Sequence, residues 1–178
     1  MLIRNQNVVF YLRSKKSATD KSPSEYVLEE VIKNKNLKDN RCFFIQATSP
    51  LLNETDIISA YKKYKKDKLD SLFTSYLTKK FIWEKINNTY VSLSYNYKKR
   101  KMRQDHKLSH VENGALYIFE TKNLLHSKNR LHKKIGTYIM PKNRSLEIDG
   151  FADINDLKVI LNKKNNYKKK ILKNFRII

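Results

Sequence analysis

The sequence predicts a layered α/β fold, and three observations carry that expectation. A short apolar run, Cys42 to Ile45, stops abruptly at Gln46, Thr48, Ser49 and Pro50, and a helix start follows. Strand-like stretches alternate with stretches of helical spacing along the chain. The middle is rich in β-prone side chains arranged as a hairpin.

Taken in order, Val8 to Leu12 is apolar and β-prone, a candidate strand, and Arg13 to Pro23 is polar and loop-like. Ser24 can cap a helix in which Tyr26, Val27, Glu30 and Val31 follow at helical spacing. Asn36 to Asn40 is a turn. Cys42 to Ile45 reads as a strand buried on both faces, because its apolar run is continuous rather than alternating. Asn53 is an N-cap, with Asp56 three residues on as an imperfect capping box. The helix then runs to Lys66, its lysines forming a solvated face. Asp70 to Leu77 is a strand, and Phe81 to Trp83 pairs with Tyr90 to Leu93 around Asn87-Asn88. Tyr95 to His110 is long, polar and basic. Ala115 to Phe119 is a strand, Thr121 to Ser127 a short helix, and Ile135 to Met140 a strand closed by Pro141. Leu146 to Ile148 is a short strand ending at Asp149. Asp153 caps a last helix reaching about Leu161, and residues 163–178 form a basic tail.

The 178 residues suffice for one domain with a genuine core. The chain carries 38 Lys+Arg against 17 Asp+Glu, a formal +21, which points toward anionic partners. Lys, Asn, Ile, Tyr and Phe are abundant and Gly and Pro number three each, so A/T-rich codons account for the overall charge better than selection does. Cys42 is the only cysteine, which excludes an internal disulfide, and a small core residue is the expected role. The histidines show no metal-ligand spacing. No apolar run reaches membrane-spanning length and no secretory layout opens the chain, so a soluble cytoplasmic protein is expected.

Three places can hold chemistry. The order of strand, polar turn and helix puts Gln46, Thr48 and Ser49 at the carboxyl edge of a sheet, where open α/β sheets bind ligands; the same hydroxyls would also serve to satisfy loop backbone groups. Arg100 to Asp105, followed by Glu112-Asn113-Gly114-Ala115, pairs guanidinium forks with a tight turn that brings backbone close to something. In Ser145 to Asp149, strand alternation puts Glu147 and Asp149 on one face, where they either neutralise lysines or hold a divalent cation such as Mg²⁺. With three glycines in the chain, a glycine-rich phosphate cradle is excluded.

In this order the motifs resemble those of the acylneuraminate cytidylyltransferases, the CMP-sialic acid synthetases. Ala18-Thr19-Asp20-Lys21-Ser22-Pro23-Ser24 looks like that family's A-T-D-T-A-S-S/T segment. Ile45-Gln46-Ala47-Thr48-Ser49-Pro50-Leu51 is similar to its Q-x-T-S-P-L motif, and Phe81-Ile82-Trp83 to its F-[IL]-W hairpin. Tyr95 to Asp105 resembles its Y-D-x-x-N-R-P-R-R-Q-D loop, and Glu112 to Tyr117 its E-N-G-A-x-Y. Ile135-Gly136 to Met140-Pro141 and Leu146-Glu147-Ile148-Asp149 close a series that covers Val8 to Leu161.

The resemblance implies a Rossmann-like nucleotidyltransferase sheet, a β-rich insertion that serves dimerisation, and a homodimer. It implies transfer of CMP from CTP to the anomeric hydroxyl of a nonulosonic (sialic-type) acid, with Mg²⁺ and release of pyrophosphate. By matching motifs, Ser24 would touch nucleotide phosphates, Gln46 would bind the sugar acid, Arg103 would face the anionic substrates, and Tyr117 would lie near the sugar. Asp149, with Glu147, would hold the metal; Arg103 and Asp149 are the catalytic candidates. The family's opening strand and I-P-A-R-G-G-S-K loop have no counterpart, so the expectation is a cytidylyltransferase domain over residues 1–162 lacking its first strands, helped by a separate N-terminal segment or inactive alone. Lys99, Lys101 and Met102 stand where the family's loop has Asn, Pro and Arg. Two other readings are a non-catalytic remnant of such an enzyme and, behind it, a basic nucleic-acid-binding protein.

Overall fold

The computed structural model describes residues 8–174, with the backbone alone for Arg103 and for residues 163–174. It is a mixed α/β structure. Helices α1 (Ser24–Asn34), α2 (Glu54–Lys66), α3 (Thr121–Ser127) and α4 (Phe151–Asn174) alternate with strands β1 (Arg41–Ile45), β2 (Ser71–Thr78), β3 (Trp83–Ile86), β4 (Thr89–Ser92), β5 (Ser109–Glu120) and β6 (Ile135–Ile139). Four strands pair in the order β1-β5-β2-β6, and β3 and β4 form a separate hairpin. Asp70 N bonds Lys134 O and Met140 N bonds Ser75 O, which makes β2 and β6 parallel. Thr121 N bonds Asn40 O and Gln46 N bonds Ala115 O, which makes β1 and β5 antiparallel.

The described chain divides into two compact units. The first takes in residues up to 44, 61–72 and 117–136. Its core is Ile32, Tyr64, Leu72, Tyr117, Ile118, Phe119 and Leu124, all at most 4% exposed. Helix α3 packs on α1, and the buried Thr121 fastens its start: Oγ1 donates to Leu37 O at 2.6 Å and accepts from Asn40 N at 3.0 Å. Gly136 lets Leu69 approach closely; a Cβ there would sit 2.2 Å from Leu69 Cδ1.

The second unit holds residues 45–60, 73–116 and those from 137 on. Much of its interior is polar and satisfied. Thr74 Oγ1 accepts from Leu116 N at 3.0 Å, and Ser75 Oγ meets Thr137 Oγ1 at 2.7 Å. The expected capping box forms: Asn53 Oδ1 accepts from Asp56 N at 2.9 Å, and Asp56 Oδ2 from Asn53 N at 3.2 Å. The hairpin also forms, in the register Trp83↔Ser92 to Ile86↔Thr89, with Asn87 left-handed at φ 54°.

Several expectations are corrected. Val8 to Leu12 makes no strand; Val8, Val9, Phe10 and Leu12 are exposed, and only Tyr11 is anchored, donating to Glu30 at 2.9 Å. β1 is not buried on both faces, because it is an outer strand, with Phe43 and Ile45 partly in solvent. The continuously buried strand is β5, and Asn113-Gly114 lies inside it rather than in a turn. Leu146 to Ile148 is not a strand; a single backbone bond, Ile148 N to Thr48 O at 2.9 Å, holds it. Ser24 is the first helical residue, with Pro23 at the cap position. Asp153 sits in the first turn of α4 and accepts from the N–H groups of Asp149 and Gly150 at 2.9 and 2.8 Å. Helix α4 continues past Leu161 to Asn174 because its lysines and asparagines contain no breaker. Among the described residues no helix is long and apolar enough to cross a membrane.

Candidate functional site

The second unit assembles the site around one glycine. Gly114 has φ +63°, a left-handed conformation that suits the absence of a side chain. A Cβ at this position would lie 2.5 Å from Gln46 Oε1 and 2.6 Å from Glu147 Oε1. The amide oxygen and the carboxylate oxygen therefore lean over the same point of β5 and lie within about 5 Å of each other. The close approach of backbone expected at Asn113-Gly114 is present, although the turn is not.

Each partner is held by its own loop. Gln46 follows the last residue of β1, and its N–H bonds Ala115 O at 3.4 Å. Glu147 lies in the segment after β6, which Ile148 N ties to Thr48 O. Asn113 is 3% exposed and pins the same segment, donating from Nδ2 to Ser145 Oγ at 2.9 Å. The buried Ser49 donates to Asn113 O at 3.5 Å, so its hydroxyl has a structural task. Asp56 Oδ1 accepts from Arg144 Nη2 at 2.8 Å, the second Arg144 nitrogen bonds Oδ2, and Tyr138 O–H reaches Oδ1 at 3.4 Å. Gln46 also lines a cleft of about 530 Å³, with Ile45, Pro50, Leu52 and Ile57 among its walls.

Acidic charge gathers here. Burial pushes the Glu147 carboxyl above the ordinary carboxylate range, and the charges of Asp149 and Glu112 push it further. The strand that was to align Glu147 with Asp149 is absent, and the two acids are two residues apart in a loop. Among the described residues no cluster of three or more His, Cys, Asp or Glu is arranged to hold a metal ion. The Glu147 carboxylate with the Gln46 amide oxygen beside it is nevertheless of a chemistry that Mg²⁺ accepts, since this ion takes one or two carboxylates and fills its shell with water and phosphates.

The remaining candidates are placed as follows. Arg103 lies in a short 3₁₀ turn, Arg103–Asp105, and its side chain is outside the described residues. Tyr117 and Ser24 belong to the first unit. Tyr117 is 3% exposed, stacked on Phe44 at 6.0 Å, with the Arg130 guanidinium over its ring at 4.2 Å. Arg130 pairs with Glu25 at 3.3 Å. Arg130 and Arg144 were not read from the sequence. A signal existed, because arginine is the rarer cation here, and Arg41, Arg130 and Arg144 each hold a carboxylate. The basic loop folds through aromatic contacts that were also missed: Phe81 meets Tyr95 at 4.4 Å and His106 at 4.7 Å, with Arg100 over its ring at 4.7 Å.

The pseudaminic acid cytidylyltransferase of Campylobacter jejuni subsp. jejuni serotype O:2 is 23% identical to this chain over 158 residues, 84% of this chain and 67% of that protein. The chain is a weak homologue of that enzyme. No family model matches it. The similarity agrees with the resemblance drawn from the motifs, and the chain spans about two thirds of the relative's length.

Two predictions follow from the geometry over Gly114. Gly114→Ala must displace both Gln46 and Glu147 and strain a left-handed residue, and should destabilise the protein by about 2 kcal/mol in urea unfolding; an unchanged midpoint would show that the contacts are loose. Because folding raises the Glu147 pKa, the folded chain binds that proton more tightly than the unfolded chain, and stability falls as pH rises through the raised value. The melting-temperature advantage of Glu147→Gln over wild type should therefore grow between about pH 4 and pH 7. A pH-independent difference would remove the electrostatic reading.

Proposed function

We propose that this chain transfers CMP from CTP to a nonulosonic acid, releasing pyrophosphate. The observation that carries the reading is the meeting of Gln46 and Glu147 over Gly114 beside Asp149, in a chain homologous to a pseudaminic acid cytidylyltransferase. Gln46 hydrogen-bonds hydroxyls of the sugar acid. Arg103 offers its guanidinium fork to carboxylate or phosphate, and Tyr117 contributes near the sugar. Ser24 serves nucleotide phosphates at the first turn of α1. Glu147 and Asp149 would hold Mg²⁺, which when bound neutralises charge on the transferred and leaving phosphates. Burial first, and then the charges of Asp149 and Glu112, raise the Glu147 pKa, and a bound cation would offset the second of these.

The same reading includes a Rossmann-like sheet and a homodimer built on the hairpin. Ile82, Trp83, Ile86, Tyr90, Val91 and Leu93 are 37–64% exposed, a concentration of apolar surface that a second copy would cover.

A pyrophosphate-release assay with CTP, Mg²⁺ and a panel of sugar acids that includes pseudaminic and sialic acids tests the reaction. Turnover is expected with at least one acid. Asp149→Ala should lower kcat by about 100-fold with the melting temperature unchanged. A folded chain that releases no pyrophosphate with any acid, with or without an added N-terminal segment, would be a non-catalytic relative. In sedimentation the protein should run as a dimer, and the double variant Trp83→Glu, Tyr90→Lys as a monomer. A monomeric wild type at tens of micromolar would remove the dimer from the reading.

A further inference from the structure

The first unit contains a cleft of about 600 Å³ that the proposed reaction does not use. Five cationic side chains line it, Arg41, Lys65, Lys68, Lys122 and Lys133, against two acidic ones, Asp70 and Glu120, a formal excess of three positive charges.

Both acids are already engaged. Glu120 Oε1 accepts from Arg41 Nε at 2.8 Å, from Arg41 Nη2 at 2.6 Å and from the Tyr64 hydroxyl at 3.1 Å. Asp70 accepts from Lys134 N at 3.1 Å. Burial works against the Arg41 charge, yet the bonds to Glu120 and Tyr64 outweigh it and leave its pKa raised, so the wall of the cleft is permanently cationic. Lys65, Lys68, Lys122 and Lys133 are exposed, and no carboxylate among the described residues pairs with them.

Two of these lysines occupy left-handed backbone positions. Lys68 and Lys133 are left-handed, at φ 49° and 48°, where glycine or asparagine fits with least strain. Lys128 is left-handed too, but its ammonium meets Glu29 at 2.5 Å. At Lys68 the left-handed residue closes the end of α2, with Leu69 N bonded to Tyr64 O at 3.1 Å, and among the described residues no carboxylate pairs with Lys68 or Lys133.

We propose that this cleft binds a compact condensed phosphate, either free diphosphate or the polyphosphate arm of a nucleotide. A volume of about 600 Å³ suits a small ligand. It lacks the stacking face that single-stranded nucleic acid uses, because its one aromatic lining residue, Tyr64, is 4% exposed and covered by Arg41. This assignment does not depend on the cytidylyl-transfer reading.

Amide chemical-shift mapping of the full chain with inorganic pyrophosphate at low salt tests it. Saturable shifts are expected at Lys65, Lys68, Leu69, Lys122 and Lys133. The double variant Lys68→Gly, Lys133→Gly relieves the backbone strain, so it should fold at least as well, and it should bind roughly tenfold more weakly. Lys85→Ala with Lys98→Ala, remote in sequence from every lining residue, should bind like wild type. CTP shifting the same amides would assign the nucleotide's arm as a ligand; CTP leaving them unmoved would assign the free diphosphate. Shifts confined to Gln46–Asn53, shifts spread over all lysines, equal binding by the glycine variant, or tighter binding of random single-stranded DNA at the same amides would each overturn the proposal.

Discussion

The Asp56 side chain has no contact with water, and a carboxylate buried without compensation would be costly. Its compensation comes from three directions at once: the N–H of Asn53, the fork of Arg144 and the hydroxyl of Tyr138. Removing one side of such a buried pair typically costs about 3–5 kcal/mol, since the other charge is left behind. The first turn of α2 and the segment after β6 are thereby locked to one another. Gln46 lies upstream of the first and Glu147 within the second, so the two segments that bring them together over Gly114 are joined through this carboxylate. Asn113 and the Ile148–Thr48 bond complete the frame.

Within that frame the electrostatics run against the rest of the chain. The protein is strongly basic, yet Glu147 sits where burial, Asp149 and Glu112 all disfavour its charge. Elsewhere carboxylates are paired in the ordinary stabilising sense: Glu29 is lowered first by its bond from Lys128 and then by that from Lys33, and Asp67 by Lys63. Stability would be better served by a neutral residue at 147. A carboxylate kept in an unfavourable place is the kind of departure from local consistency that functional sites show.

What the sequence made legible was what short-range chemistry controls. The Asn53–Asp56 reciprocity and the Asn87 hairpin depend on residues a few positions apart, and they formed as read. The errors lie where tertiary neighbours decide. The apolar letters of Cys42 to Ile45 suit a buried strand, but the strand order leaves β1 on the outside. Val8 to Leu12 has β propensity and no strand beside it. Leu146 to Ile148 alternates like a strand, yet a buried asparagine and one backbone bond fix it instead. Gln46 and Glu147, both singled out from the sequence, meet over Gly114, while the left-handed glycine inside β5 that leaves room for them, rather than a turn, was not read. Arg144 and Arg130 escaped because their partners are distant in sequence, and only their rarity among lysines marked them.

Cys42 lies in β1 with its thiol pushed up to about 11 by burial. The thiolate is the reactive form, so at neutral pH this sulfur is almost wholly protonated and slow toward alkylating agents. Since no other cysteine exists in the chain, a cysteine engineered at any exposed position becomes a unique chemical handle. Fluorophores or spin labels can be attached there without first deleting the native thiol.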